Sequence, residues 1–247
     1  MGQQNLEINP GTTVRFSSRQ IDTIVKLLKA RFPAGHFTAA HPKPFEILIA
    51  TVLSQRTKDE NTNAAANALF ARYRTPEALA AAPLKTVQRL IRRCGFYRQK
   101  AQRIKAISRI LLKRYGGKVP VELDALLELP GVGRKTANCV LVYGYRIPRI
   151  PVDTHVHRIS NRIGLVRTKS AMQTELELMA VVPRRHWIRL NELFVRHGQT
   201  ICIPRRPRCY ACPVVALCNY PTKNLKSHDF QTKNGQRKAA RSKGNQG

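Results

Sequence analysis

Apolar residues recur along this chain at three- and four-residue intervals and almost nowhere alternate. Residues 18–31 (SRQIDTIVKLLKAR) place Ile21, Ile24, Val25 and Leu28 on one helical face, with Ser18 as candidate N-cap. Residues 44–53 (PFEILIATVL) are apolar almost throughout behind a leading proline, and read as a buried helix. Short helices are predicted over 61–73, 75–82 and 83–94, separated by turn residues. A longer one over 99–115 carries apolar positions 104, 107, 111 and 112 and stops at Gly116-Gly117. Segments 123–129 and 136–145 bracket a tight turn, and further helices are expected around 171–181 and 186–197. Many short helices on short loops, without strand signals or an internal repeat, predict an all-α fold. From Pro221 the pattern fades. Residues 221–247 hold seven Lys/Arg and one Asp among few apolar residues, the composition of a disordered basic tail.

Charge narrows the function. The 247 residues carry 44 Lys+Arg against 14 Asp+Glu, a formal net charge of +30. So large an imbalance calls for a polyanionic partner, and nucleic acid fits best; structural RNA binding is the plain competitor. No apolar run is long enough to span a bilayer, and the polar start MGQQNLEINPGTT lacks a signal core. Leu6 stands where a myristoylation motif has Ser or Thr. A cytoplasmic location is therefore expected. In that reducing setting the six cysteines are ligands or core residues rather than disulfides.

The bracketed turn reads LPGVGRKTANCV, residues 129–140. Gly131 and Gly133 allow positive φ and close approach of another molecule, and Val132 sits between them. The unpaired amides opening the next helix, with Arg134 beside them, suit a phosphate. Two helices joined this way form a helix-hairpin-helix, a grip on a DNA backbone that does not read sequence; a plain helical corner would use the same glycines. Lys135 sharpens the picture. A helix N-terminus and neighbouring cations disfavour its ammonium, so its pKa is expected to fall, making it a Schiff-base nucleophile rather than only a phosphate contact. Eighteen positions on, PVDTHVHR places Asp153 at the start of another helix. It is either an ordinary N-cap or a carboxylate that orients the lysine and moves protons. His155 and His157 follow it, without a cysteine or carboxylate at the local spacing a metal needs.

Cys202, Cys209, Cys212 and Cys218 form C-x6-C-x2-C-x5-C. Four thiols so close together are metal ligands. Zinc ribbons pair two C-x2-C knuckles across a longer gap, so the uneven spacing suits a 4Fe–4S cluster better. The first loop, CIPRRPRC, holds Arg205, Arg206 and Arg208 and no acid, a stiff cationic loop for phosphates. Cys94 and Cys139 lie in apolar helical contexts and read as core.

LPGVGRKTAN, VDTH and the cysteine cluster, in this order and spacing, resemble the endonuclease III family of DNA glycosylases over about residues 18–220. The resemblance implies two helical domains with DNA between them. One is a six-helix barrel over 37–147 carrying the hairpin at about 123–146. The other is an iron–sulfur domain formed by 17–36 and 148–220, with 221–247 left as the tail. It implies Lys135 and Asp153 as the catalytic pair and His155 beside the DNA. It further implies excision of oxidised pyrimidines followed by strand nicking. The partner is double-stranded DNA with a damaged pyrimidine or abasic site, and the protein acts as a monomer. GFYRQKA (95–101) matches a wedge loop, with Phe96 where the family commonly has leucine. LSQRTKD (53–59) matches a gap-filling loop, with Arg56 in the place of the family's glutamine and Gln55 one position earlier; Asp59 matches a family position beside it. Family relatives that excise adenine opposite oxidised guanine, and those acting on mismatched thymine, usually lack this lysine.

Overall fold

Ser17, one residue before the expected cap, closes the first helix. The computed structural model describes residues 16–33 and 43–226, and every regular element among them is helical. In α1 (Ser18–Arg31), Gln20 N donates to Ser17 Oγ at 3.3 Å while Ser17 N donates to Gln20 Oε1 at 2.8 Å, a reciprocal capping box. Ile21, Ile24, Val25 and Leu28 are buried as their spacing demands.

In α2 (Pro44–Ser54) every residue from Phe45 to Leu53 is buried, so the helix runs through a core. Its one acid, Glu46, is matched by Arg74 Nε at 3.0 Å. Six helices follow: α3 (Asp59–Phe70), α4 (Pro76–Ala81), α5 (Leu84–Leu90), α6 (Tyr97–Tyr115), α7 (Leu123–Leu127) and α8 (Arg134–Cys139). α3 starts two residues before the expected 61, because Asp59 and Glu60 suit the positive end of a helix. α8 also starts two residues early, which puts Lys135 in its first turn, and beyond Cys139 the chain continues as a π-helical stretch, Val140–Gly144. The chain closes with α9 (Thr154–Ile163), α10 (Ala171–Val181) and α11 (Trp187–Thr200), then single 3₁₀ turns among the cysteines.

The buried apolar residues fall into two clusters. One gathers α2 to α8 and the π-helical stretch. The other gathers α1, α9, α10 and α11, so the chain enters the second cluster, passes through the first and returns. Asn191 of α11 stitches them, accepting from Tyr143 Oη at 2.8 Å and donating to Pro151 O at 2.9 Å. The expected 36/37 boundary lies outside the described residues, as do the expected tail from residue 227 onward and the N-terminal segment up to residue 15. Among the described residues no helix is long and apolar enough to cross a membrane.

α9 and α11 cross where Gly198 lies. A Cβ there would come within 2.5 Å of His155 Nδ1, 2.8 Å of Arg158 Nη2 and 3.0 Å of Ile159 Cδ1. Gly198→Ala therefore forces His155 and Arg158 aside. It lowers unfolding free energy by about 1–2 kcal/mol despite alanine's better helix propensity, as read by denaturant titration. Unchanged or greater stability would show that the crossing has slack.

Candidate active site

The end of α2, the start of α8 and the start of α9 meet around a cleft of about 620 Å³ lined by Gln55, Arg56, Thr57, Lys135, Asp153 and His155, among others. The hairpin turn lies just before α8, which supplies Lys135 and Thr136 to the cleft. Gly131 takes φ 77°, and a Cβ there would meet Arg103 Cδ at 2.8 Å, so glycine is required twice over. Gly133 departs from expectation. It is extended, φ −95° and ψ 176°, as N-cap of α8, and nothing lies within 4 Å of where its Cβ would be. Its value is an open face that another molecule can approach. Val132 is also not a surface residue. Its side chain packs in the first core and its amide donates to Leu129 O at 3.0 Å.

Arg134 turns away from any phosphate. Its Nε and Nη2 donate to Glu175 Oε2 at 2.9 Å and Oε1 at 3.0 Å, and Glu175 of α10 is buried. This bidentate pair braces the hairpin against the second core. Sequence reasoning missed Glu175, since one acid in ELEL announces no partner.

Lys135 is half-buried above Cys139, one helical turn on, to which it hydrogen-bonds. The expected fall in its pKa does not occur. The Cys139 sulfur and then the Asp153 carboxylate hold the ammonium above its usual range, burial opposing them, with a smaller contribution from Asp59. Burial in turn pushes the Cys139 thiol up, the Lys135 ammonium opposing it and the Asp153 carboxylate adding to it. The sequence argument weighed the helix terminus and omitted this carboxylate. Asp153 caps α9: its Oδ1 accepts from His155 N at 2.9 Å and Val156 N at 2.8 Å. The alternatives of cap and cleft carboxylate are thus one arrangement, the cap aiming the side chain beside the lysine.

His155 lines the cleft with its Nδ1 3.1 Å from Arg158 Nη2, which assigns that nitrogen as acceptor and leaves the proton on Nε2. Burial lowers its pKa, keeping the ring neutral. His157 Nδ1 faces Thr174 Oγ1 at 2.7 Å, a structural bond rather than a metal contact.

Residues 54–57 line the cleft, and the 95–97 segment is tied to them through Gly95 N, which donates to Thr57 Oγ1 at 3.1 Å. Gln55 Nε2 donates to Gly131 O at 2.8 Å and lies 3.4 Å from Thr136 Oγ1, so it ties α2 to the hairpin instead of standing free. Arg56 and Phe96 are both exposed, and the guanidinium sits 5.8 Å from the ring centroid. Phe96 is 61% exposed, more than any other large apolar side chain among the described residues, as a wedge requires.

Cys202, Cys209, Cys212 and Cys218 are free and line a single pocket with Arg162 and His197. Arg162 Nη1 lies 3.6 Å from Cys202 Sγ and His197 Nε2 3.7 Å from Cys212 Sγ. Burial lowers the His197 pKa to about 4, Arg158 adding to it, and burial pushes the Cys212 thiol up to about 11. Among the described residues no group of three or more His, Cys, Asp or Glu side chains is placed to hold a metal ion directly. The sulfurs surround a space instead of converging on a point. Arg205 and Arg206 of the intervening loop are exposed, whereas Arg208 donates to Thr200 O at 3.2 Å. Cys94 and Cys139 are core residues as expected.

The family described as HhH-GPD superfamily base excision DNA repair protein matches residues 49–184. The endonuclease III of Thermotoga maritima is 48% identical over 200 residues, 81% of this chain and 92% of that protein. A trapped endonuclease III–DNA covalent intermediate superposes with a TM-score of 0.76 at 38% identity, covering 83% of this chain and 96% of the other. A thermostable thymine-DNA glycosylase superposes at 0.72 with 27% identity, covering 81% and 94%.

The electrostatics of Lys135 can be followed without substrate. By NMR of isotopically methylated lysines, Lys135 titrates above the ordinary lysine range, and Asp153→Asn moves its midpoint to lower pH, since the carboxylate that favours the ammonium is gone. A midpoint that stays put or rises would show that Asp153 does not act on the lysine.

Proposed function

The chain belongs to the HhH-GPD superfamily and, within it, to the endonuclease III family, and on that premise we propose that it is a bifunctional DNA glycosylase and AP lyase of base excision repair that removes oxidised pyrimidines. The observation that carries this reading is Lys135 and Asp153 in one cleft whose lining residue Arg56 sits over the ring of the exposed Phe96. Double-stranded DNA is the partner, and the exposed Gly133 face together with Arg205 and Arg206 are its phosphate contacts. The enzyme works as a monomer at the cytoplasmic nucleoid.

The chemistry follows from the placement. A nucleotide in the stack keeps its C1′ out of reach, so it must rotate out into the cleft while Phe96 enters the gap. Lys135 rests as an ammonium beside Asp153 and must lose its proton before it attacks. Asp153, with Oδ1 committed to the α9 amides, offers its other oxygen as the proton acceptor. The free amine attacks C1′, the damaged base departs with a proton, and the opened sugar becomes an imine on Nζ. Loss of a C2′ proton then expels the 3′ phosphate, and hydrolysis of the imine releases the lysine. His155, neutral with its proton on Nε2, serves as a hydrogen-bond donor to the bound strand.

Cys202, Cys209, Cys212 and Cys218 are the ligands in this reading, and the residues fit a 4Fe–4S cluster: four free thiols line one pocket without meeting at a point, and Arg162 and His197 face two of the sulfurs. With Cys202 and Cys209 among its ligands, such a cluster would fix both ends of the 202–209 loop, which carries the exposed Arg205 and Arg206. The two buried clusters support the expected division into a hairpin domain and an iron–sulfur domain.

On a duplex with one thymine glycol, the wild type leaves a nicked strand without alkali. Lys135→Gln loses excision and nicking by at least about 10³-fold while keeping its affinity for the duplex. Base loss revealed only by later alkali would mean a monofunctional glycosylase. Undiminished cleavage by the variant would remove Lys135 from the mechanism. Cys212→Ser loses the brown iron–sulfur absorption and melts earlier; a colourless wild type carrying zinc would overturn the cluster assignment.

A further inference from the structure

Lys100 is among the largest fully buried side chains of the described residues, 2% exposed, and its hydrogen-bond partners are all neutral oxygens. Its Nζ donates to Leu53 O at 2.7 Å, Gln55 O at 2.5 Å and Thr57 Oγ1 at 2.8 Å. A buried ammonium without a carboxylate is costly, and a methionine would fill the same space. What the charge adds is the gathering of three oxygens. Two belong to the carbonyl-rich end of α2, where a cation is favoured. Lys100 itself lies in the first turn of α6. The contact therefore joins the loop after α2 to the loop before α6.

Both loops carry strain at their tips. Arg56 takes φ 50° and Phe96 takes φ 56°, left-handed positions that cost a non-glycine residue about 1 kcal/mol or more each. The loops also interlock. Gly95 N donates to Thr57 Oγ1 at 3.1 Å, and a Cβ on Gly95 would lie 2.8 Å from Arg56 O. Arg56 then rests over the Phe96 ring. Without the three bonds from Lys100, only the Gly95–Thr57 bond and the stacking of Arg56 on Phe96 would be left to hold two left-handed residues facing each other across separate loops.

Resting on the repair-enzyme reading above, we propose that Lys100 is a positioning residue that locks Arg56 and Phe96 into one rigid, two-pronged wedge. The two prongs enter the duplex together as the damaged nucleotide leaves. Lys100 touches neither DNA nor the reacting atoms. It acts by fixing the prongs before binding, so the ordering cost is met on folding rather than during base extrusion.

The role separates from general stability because an abasic sugar in single-stranded DNA has no partner base and no stack to open. Single-turnover rates are measured for excision of thymine glycol from duplex and for lyase cleavage of a single-stranded abasic oligonucleotide, with melting temperature alongside. Lys100→Met loses at least about tenfold on the duplex and stays within about twofold on the single strand. Lys100→Gln, whose neutral amide has two hydrogens to donate where the ammonium has three, gives the same split in weaker form and decides the matter if Lys100→Met does not fold. Equal losses on both substrates, or no loss on either, would overturn the clamp. A wild type that does not excise thymine glycol would instead fault the functional reading on which it rests.

Discussion

Arg134 and Glu175 join the two hydrophobic cores one residue away from Lys135, and the cleft depends on that join. The hairpin belongs to the first core and Asp153 to an element packed in the second. A lysine on one and a carboxylate on the other stay in register only if the cores do not slide. A bidentate guanidinium–carboxylate bond restricts both distance and orientation, which a hydrophobic seam alone does not. Asn191 and the Gln55 contact to the hairpin turn add further stitches around the same point. Breaking the brace would leave Glu175 buried without its partner, so the join is costly to open as well as directional.

The charge balance follows the same economy. Acids are scarce in this chain, and the buried ones have structural duties: Glu46 with Arg74 and Glu175 with Arg134. Asp22 serves Arg185 and His186, and Asp153 caps α9 while facing Lys135. Even with every acid counted, 14 Asp+Glu against 44 Lys+Arg leave an excess of +30 for a polyphosphate partner. Two buried lysines stand apart from that surplus. Lys100 and Lys105 spend their charge on carbonyl oxygens inside the fold, Lys105 on those of Leu79, Ala80 and Ala82. They count toward net charge but not toward DNA binding.

Local signals carried most of the architecture. The apolar spacing of α1, the proline-led run of α2 and the double glycine after α6 mark elements by short-range physics, and the structure places them there. Asp153 was legible for the same reason, since a cap and its helix are neighbours in sequence. What escaped were choices made by distant residues. Arg134 reads as a phosphate ligand until Glu175 arrives from 41 positions away. Gln55 reads as a free reader until Gly131 accepts its amide from 76 positions away. The Lys135 pKa was misjudged because the neighbours that raise it, Cys139 first and then Asp153 from another helix, were left out of the reckoning. Lys100 was not among the residues the sequence singled out. Nothing in QKAQRIK distinguishes it, and only the carbonyls of α2 explain its burial.

The central claim is that the fold places Lys135 to become covalently attached to a sugar. The direct measurement is borohydride reduction during reaction with a duplex bearing one thymine glycol, followed by proteolysis and mass mapping of the adduct. The account predicts a reduced sugar on Nζ of Lys135 and on no other lysine, with the adduct absent from Lys135→Gln. An adduct mapped to another lysine or to the N-terminal amine, or excision that yields no trapped species, would contradict it.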